Sequence, residues 1–218
     1  TDIKIHRDDV VLATMGRSFW IMDNINYLRN LDNEEVGVLY PVANTIRYRY
    51  RPSNNNHVSY PQTTVDFDYK LNSNEVSDIT ISIYDLEDNI INSFRSSAGN
   101  DEVDDYEMST NEFTYISSSK ISKKSGINRF NWDMRHRGSW SKNNRFSFRN
   151  GPMVKPGKYK VNFNISGNTY SQDFEILPDP RLSDISGDDY NEQEELLLKI
   201  RDFMTEVRKF ESMVESKM

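Results

Sequence analysis

The chain has 218 residues and a net charge of −7, and 36% of its residues are hydrophobic, 28% charged and 12% aromatic. The acidic balance argues against a nucleic-acid partner, because phosphate binding needs a basic face. No apolar run approaches the roughly 20 residues of a membrane-spanning helix, so we predict no membrane span. The absence of cysteine excludes disulfides and thiolate chemistry. The aromatic residues are numerous enough to fill a hydrophobic core.

The N-terminal region carries a hairpin pattern. Two short apolar runs, 9–14 and 18–23, flank the tripeptide Met15-Gly16-Arg17. This arrangement predicts two strands joined by a tight turn, in which Gly16 supplies a positive φ. We expect a helical turn over residues 25–31, a strand over residues 36–40 and a linker over residues 52–61 to follow.

The middle of the chain alternates apolar and polar residues with the period of a strand. Several such short runs, separated by turn residues, favour a β-sandwich of immunoglobulin size. The Gly167-Asn168 pair predicts the turn between the last two strands. Asp66 and Asp68 share one face of their strand, and we interpret them as its wetted side rather than as a catalytic pair. The predicted strands cover residues 64–71, 79–84, 90–94, 127–132, 159–165 and 170–177.

A polar insertion over residues 136–150 holds candidate contact residues for a ligand or partner. It combines aromatic and basic side chains, which can stack on a sugar ring or anchor a protein partner. The same composition suits a loop that folds back on its own domain, so both interpretations remain open. The candidate residues are Trp140, Arg145, Phe146, Phe148 and Arg149.

The last 38 residues change to a helical period. Ser186 is the predicted N-cap, with Asp189 three residues later in the arrangement of a capping box. One apolar stripe with near-heptad spacing indicates a surface for docking another protein chain. Its predicted members are Tyr190, Leu197, Ile200, Met204, Val207 and Val214.

No pattern in the chain indicates catalysis. It contains no nucleophile elbow, phosphate loop or zinc-ligand spacing. His6, His57 and His136 are far apart in sequence, and we predict them to be surface or turn residues. The fragment is therefore predicted to have no catalytic residue, no metal site and no cofactor. The start at Thr1 and the end within a helical pattern lead us to expect a piece of a longer protein.

Four segments, in order, resemble one family. These are residues 9–25, Gly126–Arg135 (GINRFNWDMR), Lys155–Val161 (KPGKYKV) and Leu177–Arg181 (LPDPR). The first is similar to the last-blade motif of bacterial Asp-box β-propeller proteins of the sortilin-like or glycosyl-hydrolase-like repeat type. The second and fourth look like a core motif and the exit of their C-terminal sandwich. The third is similar to the strand entry of flagellar-hook-capping-type immunoglobulin-like domains.

The resemblance implies a mainly-β chain in four parts. Residues 1–51 would be the remnant of the last propeller blade and a connector, 52–61 a linker, 62–180 an immunoglobulin-like sandwich and 181–218 the start of a C-terminal helical tail. The implied function is a non-catalytic structural or protein-interaction module of a secreted, periplasmic or cell-surface protein. The alternative is an accessory domain of a glycoside-acting propeller enzyme whose catalytic carboxylates lie upstream. The implied partners are the missing blades, a protein chain on the helix stripe, and a carbohydrate.

Overall fold

The computed structural model of the chain describes residues 2–6, 8–31, 38–48, 63–74, 76–96, 121–140 and 151–217. Within these ranges the fold is mainly β with a long helix at its C-terminal end, which confirms this part of the prediction. A short 3₁₀ turn lies at Leu28–Asn30, inside the predicted helical turn. The strands are β1 (Asp2–His6), β2 (Asp9–Ala13), β3 (Phe19–Met22), β4 (Val38–Leu39), β5 (Thr45–Ile46), β6 (Val65–Leu71), β7 (Ile79–Tyr84), β8 (Ile90–Arg95), β9 (Gly126–Trp132), β10 (Gly157–Ile165) and β11 (Asn168–Leu177), and the helix is α1 (Gly187–Glu215).

The first sheet contains β1, β2 and β3 in antiparallel order. The predicted hairpin is confirmed as β2 and β3, with Leu12 opposite Trp20. Gly16 has a φ of 84° in the connecting turn, as expected for a residue without Cβ. Strand β1 was not predicted. It adds to the free edge of β2, with Ile3 opposite Leu12 and Ile5 opposite Val10.

Two further sheets share a single hydrophobic core. One has five strands in the order β5-β11-β10-β7-β8, and the other has three in the order β4-β6-β9. Strand β5 runs parallel to β11, and the other pairs are antiparallel. Alternate residues of each strand point inward, as the period of two requires. Phe67 of β6 thus meets Phe163 of β10 and Phe174 of β11 at ring-centroid distances of 6.1 and 5.5 Å.

Trp132 is one of the largest fully buried side chains of this core, with 1% of its surface exposed. Its ring makes edge contacts with Tyr159 and Phe174 from the opposite sheet. Its indole Nε1 donates a hydrogen bond to the carbonyl oxygen of Arg135 at 3.1 Å. The polar atom is therefore satisfied while the ring packs in the core. The alternation along β9 thus places Trp132 on the inward face of the strand.

The strand pairing extends further towards the N-terminus than the predicted start of the sandwich at residue 62. Val38 pairs with Lys70 and Leu39 with Tyr69 through β4 and β6. Thr45 and Ile46 pair with β11. The segment predicted to be a connector therefore supplies two short strands, one to each sheet. Strand β4 lies within the strand predicted over residues 36–40, whereas β5 was not predicted.

The outer face of β6 is not the wetted surface that the sequence predicts. Asp68 is buried, and both of its carboxylate oxygens accept hydrogen bonds from Arg129 of β9, at 2.7 and 2.9 Å. The same guanidinium donates to the carbonyl oxygens of Asp23 and Asn24. The turn after β3 thus covers this face. The ion pair links the first sheet to the two-sheet core.

The turn between β10 and β11 is also one residue earlier than predicted. Ile165 pairs with Asn168, so the two turn residues are Ser166 and Gly167. Both have positive φ, 50° and 89°, which is the geometry of a type I′ turn. Asn168 belongs to β11 and not to the turn.

The segment after β9 is fixed by contacts with residues 151–154. The His136 amide donates to the Pro152 carbonyl at 2.8 Å, and the Val154 amide donates to the Met134 carbonyl at 2.9 Å. Gly151 permits this approach, because a Cβ at that position would overlap the carbonyl of His136. These contacts place His136 and the residues that follow it next to helix α1.

Candidate interaction surfaces

Helix α1 begins with the capping box that the sequence predicts. The Ser186 hydroxyl accepts a hydrogen bond from the Asp189 amide at 3.2 Å, and the Asp189 carboxylate accepts one from the Ser186 amide at 2.8 Å. Hydrogen bonds from the Ser186 side chain and backbone lower the pKa of Asp189. The cap satisfies amides that the first turn leaves without an intrahelical partner. It fixes where the helix starts.

The first half of α1 docks on the core through polar side chains. Glu194 is buried, and its Oε1 lies 2.7 Å from His136 Nε2 and accepts the Lys155 amide at 3.1 Å. Burial acts to raise the pKa of Glu194, but the hydrogen bond and charge of His136, together with the Lys155 amide and ammonium, leave that pKa below its ordinary value. The prediction that His136 is a surface or turn residue is wrong, since His136 is buried in contact with Glu194.

A second polar contact joins the start of the helix to the strand region. The guanidinium of Arg47 lies 5.0 Å from the ring centroid of Tyr190. Its Nη2 donates to Gln193 Oε1 at 3.0 Å, and its Nε donates to the Val154 carbonyl at 2.7 Å. Arg47 therefore connects the helix, β5 and the segment before β10.

The second half of the helix docks on residues 139–140. The Thr205 hydroxyl accepts a hydrogen bond from the Trp140 amide at 3.1 Å. Arg208 Nη1 donates to the Ser139 hydroxyl at 2.7 Å and to the Trp140 carbonyl at 3.4 Å. The described hydrogen bonds between α1 and the core thus come from polar side chains, and Tyr190 is buried on the same side.

The opposite side of α1 is an apolar seam exposed to solvent. Phe203 and Phe210 are 66% and 67% exposed. The spacing of the seam residues alternates four and three, which is the a/d pattern of a coiled coil. At about 100° per residue, the seam positions lie roughly 140–180° around the helix from Thr205, and roughly 80–180° from Arg201 and Arg208. The apolar seam consists of Leu196, Ile200, Phe203, Val207, Phe210 and Val214, all exposed.

The predicted stripe and the observed seam share three residues, Ile200, Val207 and Val214. Tyr190 does not belong to the exposed surface, because it is buried beside Arg47. Leu197 and Met204 flank the seam and are exposed as well. Sequence reasoning missed Leu196, Phe203 and Phe210. Together with the three shared residues, these three alternate four and three residues apart along the helix, and this spacing could have identified them from the sequence.

A cleft of about 380 Å³ lies between β8, residues 137–140 and α1. This volume is at the lower end of the range of small-ligand sites. Ile90 and Trp140 supply apolar surface, and Ser93, Arg201, Glu206 and Lys209 are among its polar lining residues. The backbone of Trp140 is held by Thr205 and Arg208 at the wall of the cleft.

Trp140 is therefore the one predicted contact residue that the structure places at a cavity. Arg145, Phe146, Phe148 and Arg149 lie outside the described residues. Glu194, Arg47 and Thr205, which position the helix beside Trp140, were missed because they are distant from it in sequence. The spacing of residues within one segment does not predict contacts between segments that are distant in sequence.

The first sheet presents a second unpartnered apolar surface, the apolar sheet face. Ile3, Leu12 and Trp20 are cross-strand neighbours, as are Ile5, Val10 and Met22. The two rows lie on the same face because they are two residues apart on each strand. The edge-strand members Ile3, Ile5, Trp20 and Met22 are all exposed. The face is contiguous and apolar, as a protein contact surface is.

The described residues were compared with the requirements of a metal site and of a membrane-spanning helix. No group of three or more His, Asp or Glu side chains there is arranged to hold a metal ion. None of the helices among these residues has the length and apolar character needed to cross a membrane.

Comparison with known proteins gives no relative from which a function could be transferred. No family model matches the chain, and neither the curated proteins nor the solved structures contain a significant match.

Proposed function

We propose that the chain is a non-catalytic structural and protein-interaction module at the C-terminal end of a secreted, periplasmic or cell-surface β-propeller protein. The observation that carries this proposal is the orientation of α1. A surface helix normally buries its apolar stripe on its own domain. Here the polar side of α1 contacts the core and the apolar seam faces solvent. That orientation suits a helix whose apolar side contacts another protein.

The apolar sheet face supports the propeller part of the proposal. Propeller blades are four-stranded antiparallel sheets packed around a central channel. The first sheet has three antiparallel strands and exposes Ile3, Ile5 and Trp20 on one face. Contact with a neighbouring blade would bury this face. The missing blades are thus the proposed partner of the first sheet.

The strand order supports an immunoglobulin-like sandwich. In that fold, one sheet joins strands B and E, and the other joins C, F and G. Strands β6 and β9 pair in one sheet, while β7, β10 and β11 are consecutive neighbours in the other. Strand β8 extends the larger sheet beside β7, as C′ does in variable-type domains.

Site-specific photo-crosslinking in the cells that produce the protein tests the interaction role. A benzophenone side chain at Phe203 would lie on the seam, and the same group at Leu86 is the control. Leu86 is also apolar and exposed, at the turn after β7, but lies outside the seam. We expect a defined protein adduct from position 203 and none from position 86. Equal, diffuse labelling from both positions would contradict the proposal.

The alternative, an accessory domain of a glycoside-acting enzyme, is favoured by one observation, the cleft at Trp140. An indole wall with nearby charged and hydroxyl groups suits the stacking and hydrogen bonding of a sugar. Titration with an array of soluble oligosaccharides tests it, with Trp140→Ala expected to abolish binding and Trp20→Ala to leave it unchanged. Absence of binding to any sugar, or binding insensitive to Trp140→Ala, would reject this alternative.

A further inference from the structure

We propose that the apolar seam of α1 pairs with the seam of a second copy of this chain to form an antiparallel two-helix coiled coil. This inference rests on the proposed interaction role, and it names the partner. It follows from the seam's spacing, its self-complementary shape and its area.

The spacing assigns the heptad positions. Ile200, Val207 and Val214 fall at a, and Leu196, Phe203 and Phe210 fall at d. The a residues are thus β-branched, and the d residues are larger and unbranched at Cβ. Knobs-into-holes packing of this seam needs a partner helix with apolar residues at the same spacing.

An antiparallel second copy meets this requirement. When the two-fold axis passes near Thr205, each d residue faces an a residue of the other helix. Phe203 then lies opposite Val207 of the second copy, Phe210 opposite Ile200, and Leu196 opposite Val214. Every layer combines a larger side chain with a β-branched one, so the layers have similar volumes, and no seam residue lacks a partner.

A parallel arrangement is less favourable. It would place Phe203 against Phe203 and Phe210 against Phe210 of the second copy in two overfilled layers. It would also bring Glu206 beside Glu211 of the second copy on both flanks, which costs stability because like charges face each other. The antiparallel arrangement keeps one such contact, between the two Glu206 side chains near the axis. It places Met204 beside Met204 on the other flank.

The exposed area is sufficient for a stable dimer. The six seam residues with flanking Leu197, Met204 and Met213 are all exposed. Covering them in both copies would remove roughly 1,200–1,600 Å² from water, within the range of stable protein interfaces. The described core residues contact α1 from the opposite side, so the docking contacts of Glu194, Thr205 and Arg208 persist in the dimer.

Engineered cysteines test both the partner and its direction, since the natural chain has no cysteine. One batch carries Leu196→Cys, a second carries Val214→Cys, and a third carries Glu195→Cys, an exposed position outside the seam. After mild oxidation, we expect a covalent dimer when the first two batches are mixed. Either batch alone, or the control mixed with either, should remain uncrosslinked. Dimers from each batch alone would overturn the antiparallel direction.

Sedimentation equilibrium of the uncrosslinked chain provides the second readout. We expect a dimer for the natural chain and for Leu86→Glu, and a monomer for Phe203→Glu. A monomeric natural chain at micromolar concentrations would overturn the second-copy proposal. If position 203 still forms a photo-adduct with a different protein, the interaction role stands and only the identity of the partner fails. No adduct and no dimer would reject both.

Discussion

Two tryptophans on strands of different sheets have opposite environments. Trp132 of β9 is 1% exposed between two sheets, whereas Trp20 of β3 is 63% exposed on the apolar sheet face. Both make one hydrogen bond to a nearby carbonyl, Trp132 to Arg135 and Trp20 to Arg17. They differ because a second sheet covers Trp132, whereas Trp20 remains exposed. A strand pattern specifies which face is apolar, but burial requires another sheet or another molecule.

The same contrast separates the two ends of the molecule from its centre. The central pair of sheets closes on its own core, and Arg129 and Asp68 seal one outer face. The first sheet and helix α1 each keep an apolar surface exposed. We infer that the centre supplies the stability of the chain and that the two ends supply its contacts.

The largest expected effect is that of Trp132→Ala. Truncation of a large core side chain costs about 3–5 kcal/mol of unfolding free energy. Urea unfolding of this variant in the Phe203→Glu background, in which we expect a monomer, measures the loss. A midpoint that does not move would show that Trp132 is not part of the stabilising core.

The second effect concerns the ion pair that joins the first sheet to the core. Arg129→Met leaves the Asp68 carboxylate buried without its partner, and we expect a loss of about 3 kcal/mol. The double variant with Asp68→Asn is the control, and it should recover part of the loss because no buried charge is left unpaired. Additive losses in the two single variants would argue against the pairing.

The docking of α1 should depend on pH. The pKa of Glu194 in the folded chain lies below its ordinary value of 4.5, so its contacts contribute stability above that pH. The contribution is lost as the pH falls through the folded-state pKa. Glu194→Gln should cost about 1.5 kcal/mol at pH 7, as expected for hydrogen bonds to a charged group. The difference from the natural chain should shrink towards pH 3.

Urea unfolding at a series of pH values measures this difference. His136 and Lys155 also face the carboxylate, so Lys155→Met is a useful comparison. It removes the longer, more exposed contact and should have the smaller effect. A cost of Glu194→Gln that is the same at pH 7 and pH 3 would contradict the account.

The smallest effect is expected for Trp20→Ala. An exposed side chain outside any special contact changes stability by less than about 0.5 kcal/mol. The same urea series as for Trp132→Ala measures it, so the two tryptophans are compared directly. A loss as large as that of Trp132→Ala in a monomeric chain would mean that the apolar sheet face is already buried.

Much of the strand content could be predicted because it rests on a local period. Residues 79–84 form β7 with the predicted bounds, and the inward face of Phe130 and Trp132 follows from alternation. Strands β4 and β5 contain two residues each, and their pairing partners are far along the chain. Strand β4 falls within the predicted strand over residues 36–40, but no period is visible in a segment as short as β5, so only tertiary contacts define β5.

The candidate surfaces were predictable to a lesser extent for a related reason. The helix period identified a stripe, but one that included Tyr190, which contacts Arg47 in the folded chain. Which side of a helix faces the domain depends on contacts such as His136 with Glu194, 58 residues apart in sequence. Burial of Asp68 likewise depends on a guanidinium from another strand. The spacing of residues along the sequence does not predict such long-range pairs.

Hydrogen exchange of backbone amides, measured by mass spectrometry on the Phe203→Glu chain, tests the central claim most directly. If the centre is self-sufficient and the first sheet awaits a partner, amides of β2 and β3 will exchange much faster than those of β6 and β10. We expect protection near that of global unfolding in β6 and β10 and local opening in β2 and β3. Equal protection of the two regions in a chain shown to be monomeric would contradict it.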